Sequence, residues 1–514
     1  MTKISIGATL ASCLVMGLAL CGCSSNVTSS SQTQSATYAK HSDIIVAGSQ
    51  AGVTPFIATA QLSGQSVSQV SSVEFKISPM PNSVSQPVDV TWSMAALSGR
   101  GYLQNNLINL PVFGLYAGYQ NQVNFQITFN DGSVQQLEYQ IVTQPYTDPT
   151  GVYLSPTILQ ARAPGSTLGF SFFILKSLLG SPLIVDTDGQ VRWVTLGAPS
   201  SAVIFKDGQF VSGNTNEAVV TSIQLDGIGS AMPNSLPQPL LSSFTHNIDP
   251  GPNGLLAEFN GTDDLGSSIG DIVAEISPMP NQPPLQVFDM ADILSSYMRN
   301  NGDDPTAFVR PGIDWFHVNA STYDPSDHTV IISSRENFLI KVNYLTHDIV
   351  WIFGDPTKYW YTFPSLRAKA LTLDAGGDYP VGQHGISVTS DGYVMVFNDG
   401  EGSLNQPAGE SAGISRNFSE VSTYSVNAGA MTAHQVWSFD YGQSIFSPYC
   451  GSSYEAPGHT YLVDFATADN MTEARLVGLD SNHNVVFDFQ YASPTGCGAA
   501  WNVIPIPLEN LQIN

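Results

Sequence analysis

Three short phrases, FTHNID around His246, DWFHVN around His317 and VGQHGISV around His384, each put a histidine at the start of an apolar, strand-like run. The chain has 9 histidines in 514 residues, so this recurrence at intervals of about seventy residues is its most informative chemical feature. A neutral imidazole is a competent nucleophile near pH 7, and a second histidine can exchange a proton with an oxygen at the reacting group. A covalent step on one of them would divide a difficult transfer into two easier ones. Taken singly, each histidine reads first as a hydrogen-bonded packing residue. Three histidines meeting at one axis could also bind zinc, but there is no H-x-H or H-x-x-x-H pair. No GxxxxGK[ST] phosphate loop is present, which argues against a nucleotide donor.

The intervals between the histidines are too long for neighbouring strands of a hairpin. They suit alternate blades of a repeat protein, or blades with insertions, whose strands could bring the three rings to one axis. A degenerate phrase supports this, a turn followed by an aromatic-ended strand, in DTDGQVRW (from Asp186), LTHDIVW (from Leu345), AHQVW (from Ala433) and SNHNVVFDF (from Ser481). Interleaved with it are DGQFVSG, PNGLLAEFN, DHTVIISS, SDGYVMVFN and GHTYLVDF. Inner strand plus outer hairpin is the internal period of a propeller blade, and the phrases predict six blades between Tyr153 and the C terminus. A sandwich array or solenoid is the rival, and the closing tryptophans read as packing between blades. Upstream, SSVEFKISP, VNFQITFNDGS and QLEYQIVTQ alternate between turns, which predicts a small β-sandwich over residues 43–147. Pro145 to Pro149 reads as a linker to a propeller over 148–514. The fold class expected is therefore all-β, a six-bladed propeller behind an N-terminal sandwich, with one convincing short helix around Met290 to Met298.

With 17 Lys plus Arg against 42 Asp plus Glu, a net charge of -25 argues against nucleic acid or an anionic lipid surface as partner. The apolar run Ile4 to Leu20 followed by Leu20-Cys21-Gly22-Cys23 reads as a lipoprotein signal peptide over residues 1–22, with Cys23 as the lipidated residue. A Ser-, Thr- and Gln-rich stretch then makes a flexible tether over 23–42. This implies export and a membrane reached through acyl chains on the periplasmic face, with Ser24 pointing to the outer membrane. Once the peptide is removed, Cys450 and Cys497 join Cys23 as the remaining cysteines. In an oxidising compartment they are natural disulfide partners, with two buried thiols as the alternative.

The ordered phrases LPVFGLYAG, GFSFFIL, LIVDTDGQVRW, FTHNIDPGPNGLLAEF, DWFHVNASTYDPSDHTVIISSRENFLIKVNY, WIFGDP and VGQHGISVTSDGYVMVFNDG resemble the bacterial arylsulfate sulfotransferase family over nearly all of the mature chain. The segment from DWFHVN to SSRENF is the most specific part. The resemblance implies transfer of a sulfuryl group from an aryl sulfate to a phenolic acceptor, without nucleotide, metal or other cofactor, through a sulfohistidine in a ping-pong reaction. It implies that His384 carries the sulfuryl group and that His246, His317, Asn319 and Arg335 surround it. The chemistry asks for such a set, because the transferred charge spreads over three oxygens and catalysis is mainly positioning and electrostatics. A guanidinium at Arg335 suits an oxyanion, and Asn319, two residues after His317, shares its face on an extended strand. Aryl sulfate and phenol are the small-molecule partners implied, with a homodimer possible. The alternatives are a non-catalytic propeller lipoprotein that scaffolds envelope proteins and a histidine-ligated metal enzyme. The sequence differs from some members in having no cysteine between His317 and His384, and in the Thr and Asn that flank His246.

Overall fold

A computed structural model describes residues 41–514 apart from 198–199, 215, 217–218, 233–240, 264–265 and 278–281. The signal peptide, Cys23 and nearly all of the tether lie outside the described residues.

The first part of the chain forms two sheets. One runs in the order Ile45–Ala51, Ile57–Ser63, Leu107–Phe113, Leu103–Gln104, and the other contains Val88–Ser93, Val70–Ile77, Gln120–Phe129 and Val134–Val142. Their inner faces follow the two-residue period: Val73, Phe75 and Ile77 are buried opposite Ile108, Leu110 and Val112 in one core. The second sheet has a fifth strand, Leu511–Ile513, which pairs parallel with Val88–Ser93. The last strand of the chain therefore belongs to the sandwich, not to the propeller in which a division at residue 148 would put it. The sequence reading missed this because three residues carry no periodic signal.

Six further sheets follow among the described residues, each an antiparallel meander of four strands with an occasional edge strand added. The third has Ser243–Pro250 first, the fourth Val318–Asp324, the fifth Gln383–Val388 and the sixth Ser452–Ala456. First strands of successive sheets lie against one another, from Val203–Lys206 through to Asn502–Ile506. Asn502–Ile506 is the innermost strand of the first sheet, where it pairs antiparallel with Phe172–Lys176, ahead of Leu183–Asp186 and Val191–Val194. The chain end thus closes the ring, as a β-propeller requires. The phrases DGQFVSG, PNGLLAEFN, DHTVIISS, SDGYVMVFN and GHTYLVDF are the second strands of their sheets, and the aromatic-ended phrases are the fourth, with Thr372–Leu373 and Thr157–Gln160 added outside two of them. Trp193 and Trp351 are buried, Trp193 stacking on Phe210 of the next sheet at 4.6 Å, in keeping with packing between sheets.

The expected helix is present as Met290–Asn300, capped by the Asp289 carboxylate on the Asp292 amide. A second, Met94–Gly99, is capped by Ser93 in the sandwich and was not legible from composition. Cys450 and Cys497 form a disulfide. Sandwich and propeller are joined through Arg192, which pairs with Asp186 at 2.9 Å, donates to the Gly114 carbonyl and lies 3.7 Å over the Tyr116 ring.

Truncation after Ile506 would remove Leu508, Leu511 and Ile513, all buried. At about 1.5–3 kcal/mol per buried aliphatic side chain, the shortened protein should lose about 5 kcal/mol of stability, read as a lower urea midpoint. An unchanged midpoint would show that the sandwich does not depend on its last strand.

Candidate functional site

Each of the three histidines sits where a first strand departs from regular pairing. In the third sheet the ladder is interrupted between Phe244 and Ile248, which leaves His246 in a bulge. In the fourth, His317 has a left-handed φ of 50° immediately before Val318, and pairing is irregular between Val318 and Ala320. In the fifth, pairing is lost between His384 and Ser387. Bulges re-aim side chains that a flat strand would alternate between its two faces, and here they do so in three successive strands around one axis.

The rings of His246 and His317 are 4.9 Å apart. Arg335 is brought beside them because its backbone N–H donates to the His317 carbonyl at 3.0 Å. Asn319 reaches the neighbouring sheet, its Nδ2 donating to the Gln383 carbonyl at 2.7 Å, one residue before His384. The five expected residues are therefore gathered in one place. The expectation that Asn319 shares a face with His317 by strand alternation does not describe how this happens. The backbone at 317 is left-handed and 319 lies in a bulge, so the cross-sheet hydrogen bond places Asn319.

Charge and burial define what the group can do. His384 is 6% exposed, and its Nδ1 faces two acceptors, the Gly382 carbonyl at 3.0 Å and Asp399 Oδ2 at 3.2 Å. The proton therefore resides on Nδ1 and the Nε2 lone pair is available to an electrophile. Burial, reinforced by Arg335, lowers the His384 pKa from 6.5 to about 3, so the ring is neutral at physiological pH. Burial holds His246 well below its ordinary value too, with His317 and His384 adding to the effect. His317 differs: its Nδ1 lies 2.6 Å from Asp314 Oδ2 in the half-buried mouth of the site. That contact orients the ring and leaves Nε2 to exchange a proton. Arg335 is 2% exposed, contacts Glu336 at 3.2 Å and Asp399 at 3.6 Å, and has Nε and Nη2 buried without a hydrogen-bond partner in the protein. Buried donors of this kind are costly unless something negative meets them.

Several contributors were not read from the sequence. Asp314 stands three residues before His317 and Asp399 follows the strand Val394–Asn398, so both lay inside quoted phrases. Trp501 lies 5.5 Å from the His246 ring and Tyr449 lies 5.5 Å from the Arg335 guanidinium. These aromatics sit beside Asn502 and Cys450, and the Cys450–Cys497 bridge ties their two segments together. Glu336 accepts from the amides of Leu404 and Asn405 at 2.8 and 2.7 Å, which fastens the loop after Asp399 next to Arg335. Among the described residues, no group of three or more His, Cys, Asp or Glu could hold a metal ion.

The arylsulfotransferase (ASST) family profile matches residues 165–501, and the profile of its Ig-like N-terminal domain matches residues 52–144. The chain belongs to the arylsulfotransferase family. The arylsulfate sulfotransferase AssT of Escherichia coli O6:H1 is 31% identical over 160 residues, and that of Lelliottia amnigena is 29% identical over 153. The first alignment spans 27% of this chain and 25% of the relative, the second 26% and 25%. Among solved structures, the Cps50 (Swd1) β-propeller domain of Myceliophteria thermophila superposes with a TM-score of 0.33 at 10% identity, over 69% of this chain and 90% of that one.

Because the folded His384 ring stays neutral down to about pH 3 while an unfolded histidine binds its proton near 6.5, the unfolded chain binds more protons between these values. This contribution is present above pH 6.5 and is lost as pH falls toward 3. His384→Gln should therefore lose less stability than the wild type on acidification, by up to about 1.4 kcal/mol per pH unit, measured by urea unfolding. Parallel pH dependences in the two proteins would contradict a buried neutral ring.

Proposed function

We propose that the chain moves a sulfuryl group from an aryl sulfate to a phenol, with His384 as the covalent carrier in a ping-pong reaction. The observation that carries this reading is the buried Arg335 guanidinium, whose Nη2 has no hydrogen-bond partner in the protein and whose Nε meets only Asp399 at 3.6 Å, beside a neutral histidine whose Nε2 is the free ring nitrogen. Family membership supports the choice of sulfuryl group and aryl substrate.

In the first half-reaction the Nε2 lone pair of His384 forms the N–S bond while the S–O bond to the aryl oxygen breaks. The departing oxygen takes a proton from His317, whose other nitrogen is held by Asp314. Arg335 meets the charge on the sulfuryl oxygens, and Asn319 has one Nδ2 hydrogen left after its bond to Gln383. The neutral His246 ring offers one further N–H. In the second half-reaction a phenol returns its proton to His317 and its oxygen takes the sulfur from His384. Protons and charges balance over the cycle with no outside acid or cofactor. A chain with few cations concentrates one where the anion sits, and bulk electrostatics need not favour the substrate.

Donor alone should release one equivalent of phenol in a burst, and the peptide Val381 to Val388 should gain the mass of one SO3 group. His384→Ala should abolish burst and turnover, and Arg335→Ala should slow transfer by about 10²–10³-fold. Near-normal transfer by His384→Ala would overturn the assignment, as a non-catalytic scaffold requires.

We also propose that the protein is exported and held by acyl chains on Cys23, the simplest use of the lipobox-like run before it, at the outer membrane. Cys23→Ala should shift it from the membrane to the soluble exported fraction, and unchanged membrane association would refute the anchor.

A further inference from the structure

We infer that Asp399 is a positioning residue for the transfer, the carboxyl group that steadies the His384 ring and meets the charge the ring acquires. This rests on the sulfuryl-transfer reading above and adds a residue that the reading does not contain.

Asp399 follows Val394–Asn398 and is fully buried. Its Oδ1 accepts the Glu401 amide at 2.9 Å, and its carbonyl accepts the Ser419 hydroxyl at 2.7 Å, so the residue is fixed at both ends. Its Oδ2 faces His384 Nδ1 at 3.2 Å and Arg335 Nε at 3.6 Å, touching both the carrier and the cation of the site. In this geometry Oδ2 makes ion-pair contacts without an aligned hydrogen bond, and the Gly382 carbonyl is the aligned partner of Nδ1. The backbone is built around that approach. Gly382 has a left-handed φ of 58°, and a Cβ there would stand 1.7 Å from Asp399 Oδ1. Only glycine at the second position of VGQHG lets the carboxylate come beneath the histidine.

The chemistry gives this contact a task. When Nε2 takes the sulfuryl group, Nδ1 keeps its proton and the ring becomes a cation in a buried site. Arg335 disfavours that cation, whereas Asp399 is the carboxyl group in contact with it; burial raises its pKa well above the ordinary carboxylate value, and Arg335 and the new cation both oppose that shift. The N–S electron pair comes from Nε2, the S–O pair leaves with the aryl oxygen, and His317 supplies the oxygen's proton, so no proton leaves Nδ1 at any step.

The decisive measurement is the ¹⁵N spectrum of histidine-labelled protein at pH 7, with the His384 signals identified by their loss in His384→Gln. The wild type should show a protonated Nδ1 and a bare Nε2. Asp399→Asn should keep the proton on Nδ1, which the Gly382 carbonyl accepts, and should slow the donor burst by about 10²–10⁴-fold, the range set by a mis-held imidazole, with little change in donor KM. Gly382→Ala, which displaces the same carboxylate, should slow the burst as well. The inference is overturned by a wild-type ring protonated on Nε2, or by an Asp399→Asn burst within about threefold of the wild type. If Asp399→Asn does not fold, the wild-type spectrum decides. A wild type that gives neither burst nor transfer would remove the sulfuryl-transfer reading itself, while the spectrum would still report whether His384 has the tautomer described.

Discussion

The pairing of Asn502–Ile506 with Phe172–Lys176 is the contact on which the rest depends. It joins residues more than three hundred positions apart and turns a row of sheets into a ring. Without it, the first strands of the third, fourth and fifth sheets would have no fixed common axis, and His246, His317 and His384 would have no reason to converge. The same chain end then continues as Leu511–Ile513 into the sandwich. Ring closure and attachment of the N-terminal domain are thus made by one short segment. That arrangement also places Trp501, immediately before the closing strand, against His246.

Within the ring, the site resolves an electrostatic conflict. The chain carries -25 net charge, yet its site is suited to an anion. Cations are therefore kept inside: Lys176, Arg192, Arg335 and Lys358 are all at most 2% exposed. Burial lowers Lys358 to about 8, with Glu336 and Asp355 opposing the shift. A guanidinium is planar and carries its donors in a fixed fork, which suits the oxygens of an anion. Low dielectric around Arg335 strengthens its attraction for a sulfuryl oxygen and at the same time keeps His384 and His246 neutral. One environment thus gives both an uncharged nucleophile and a charged anion partner.

The fold class was legible because alternation and turn residues recur. Asp207 and Gly208, with φ of 52° and 70°, make the kind of tight turn whose Asp-Gly sequence announces a hairpin. His246, His317, Asn319, Arg335 and His384 were singled out through the resemblance of the short phrases around them, and the fold brings them together. Asp314 and Asp399 were passed over for a physical reason. A buried carboxylate has the same letter as a surface one, and acidic residues are common in this chain, so neither spacing nor composition marks them out. Trp501 and Tyr449 read as packing residues for the same reason.

What the sequence determined by itself was most of the strands of the repeats and the sandwich ahead of them. These follow from local periodicity, turn chemistry and residue type, which need no knowledge of distant contacts. Tertiary structure decided the rest: that the last three-residue strand crosses into the sandwich, that bulges at His246, Asn319 and beyond His384 aim side chains to the axis, and that Gly382 makes room for Asp399. Each of these depends on a partner strand or side chain far away in the chain. The free energy that selects them exists only once the ring has closed, so no window of sequence could contain it.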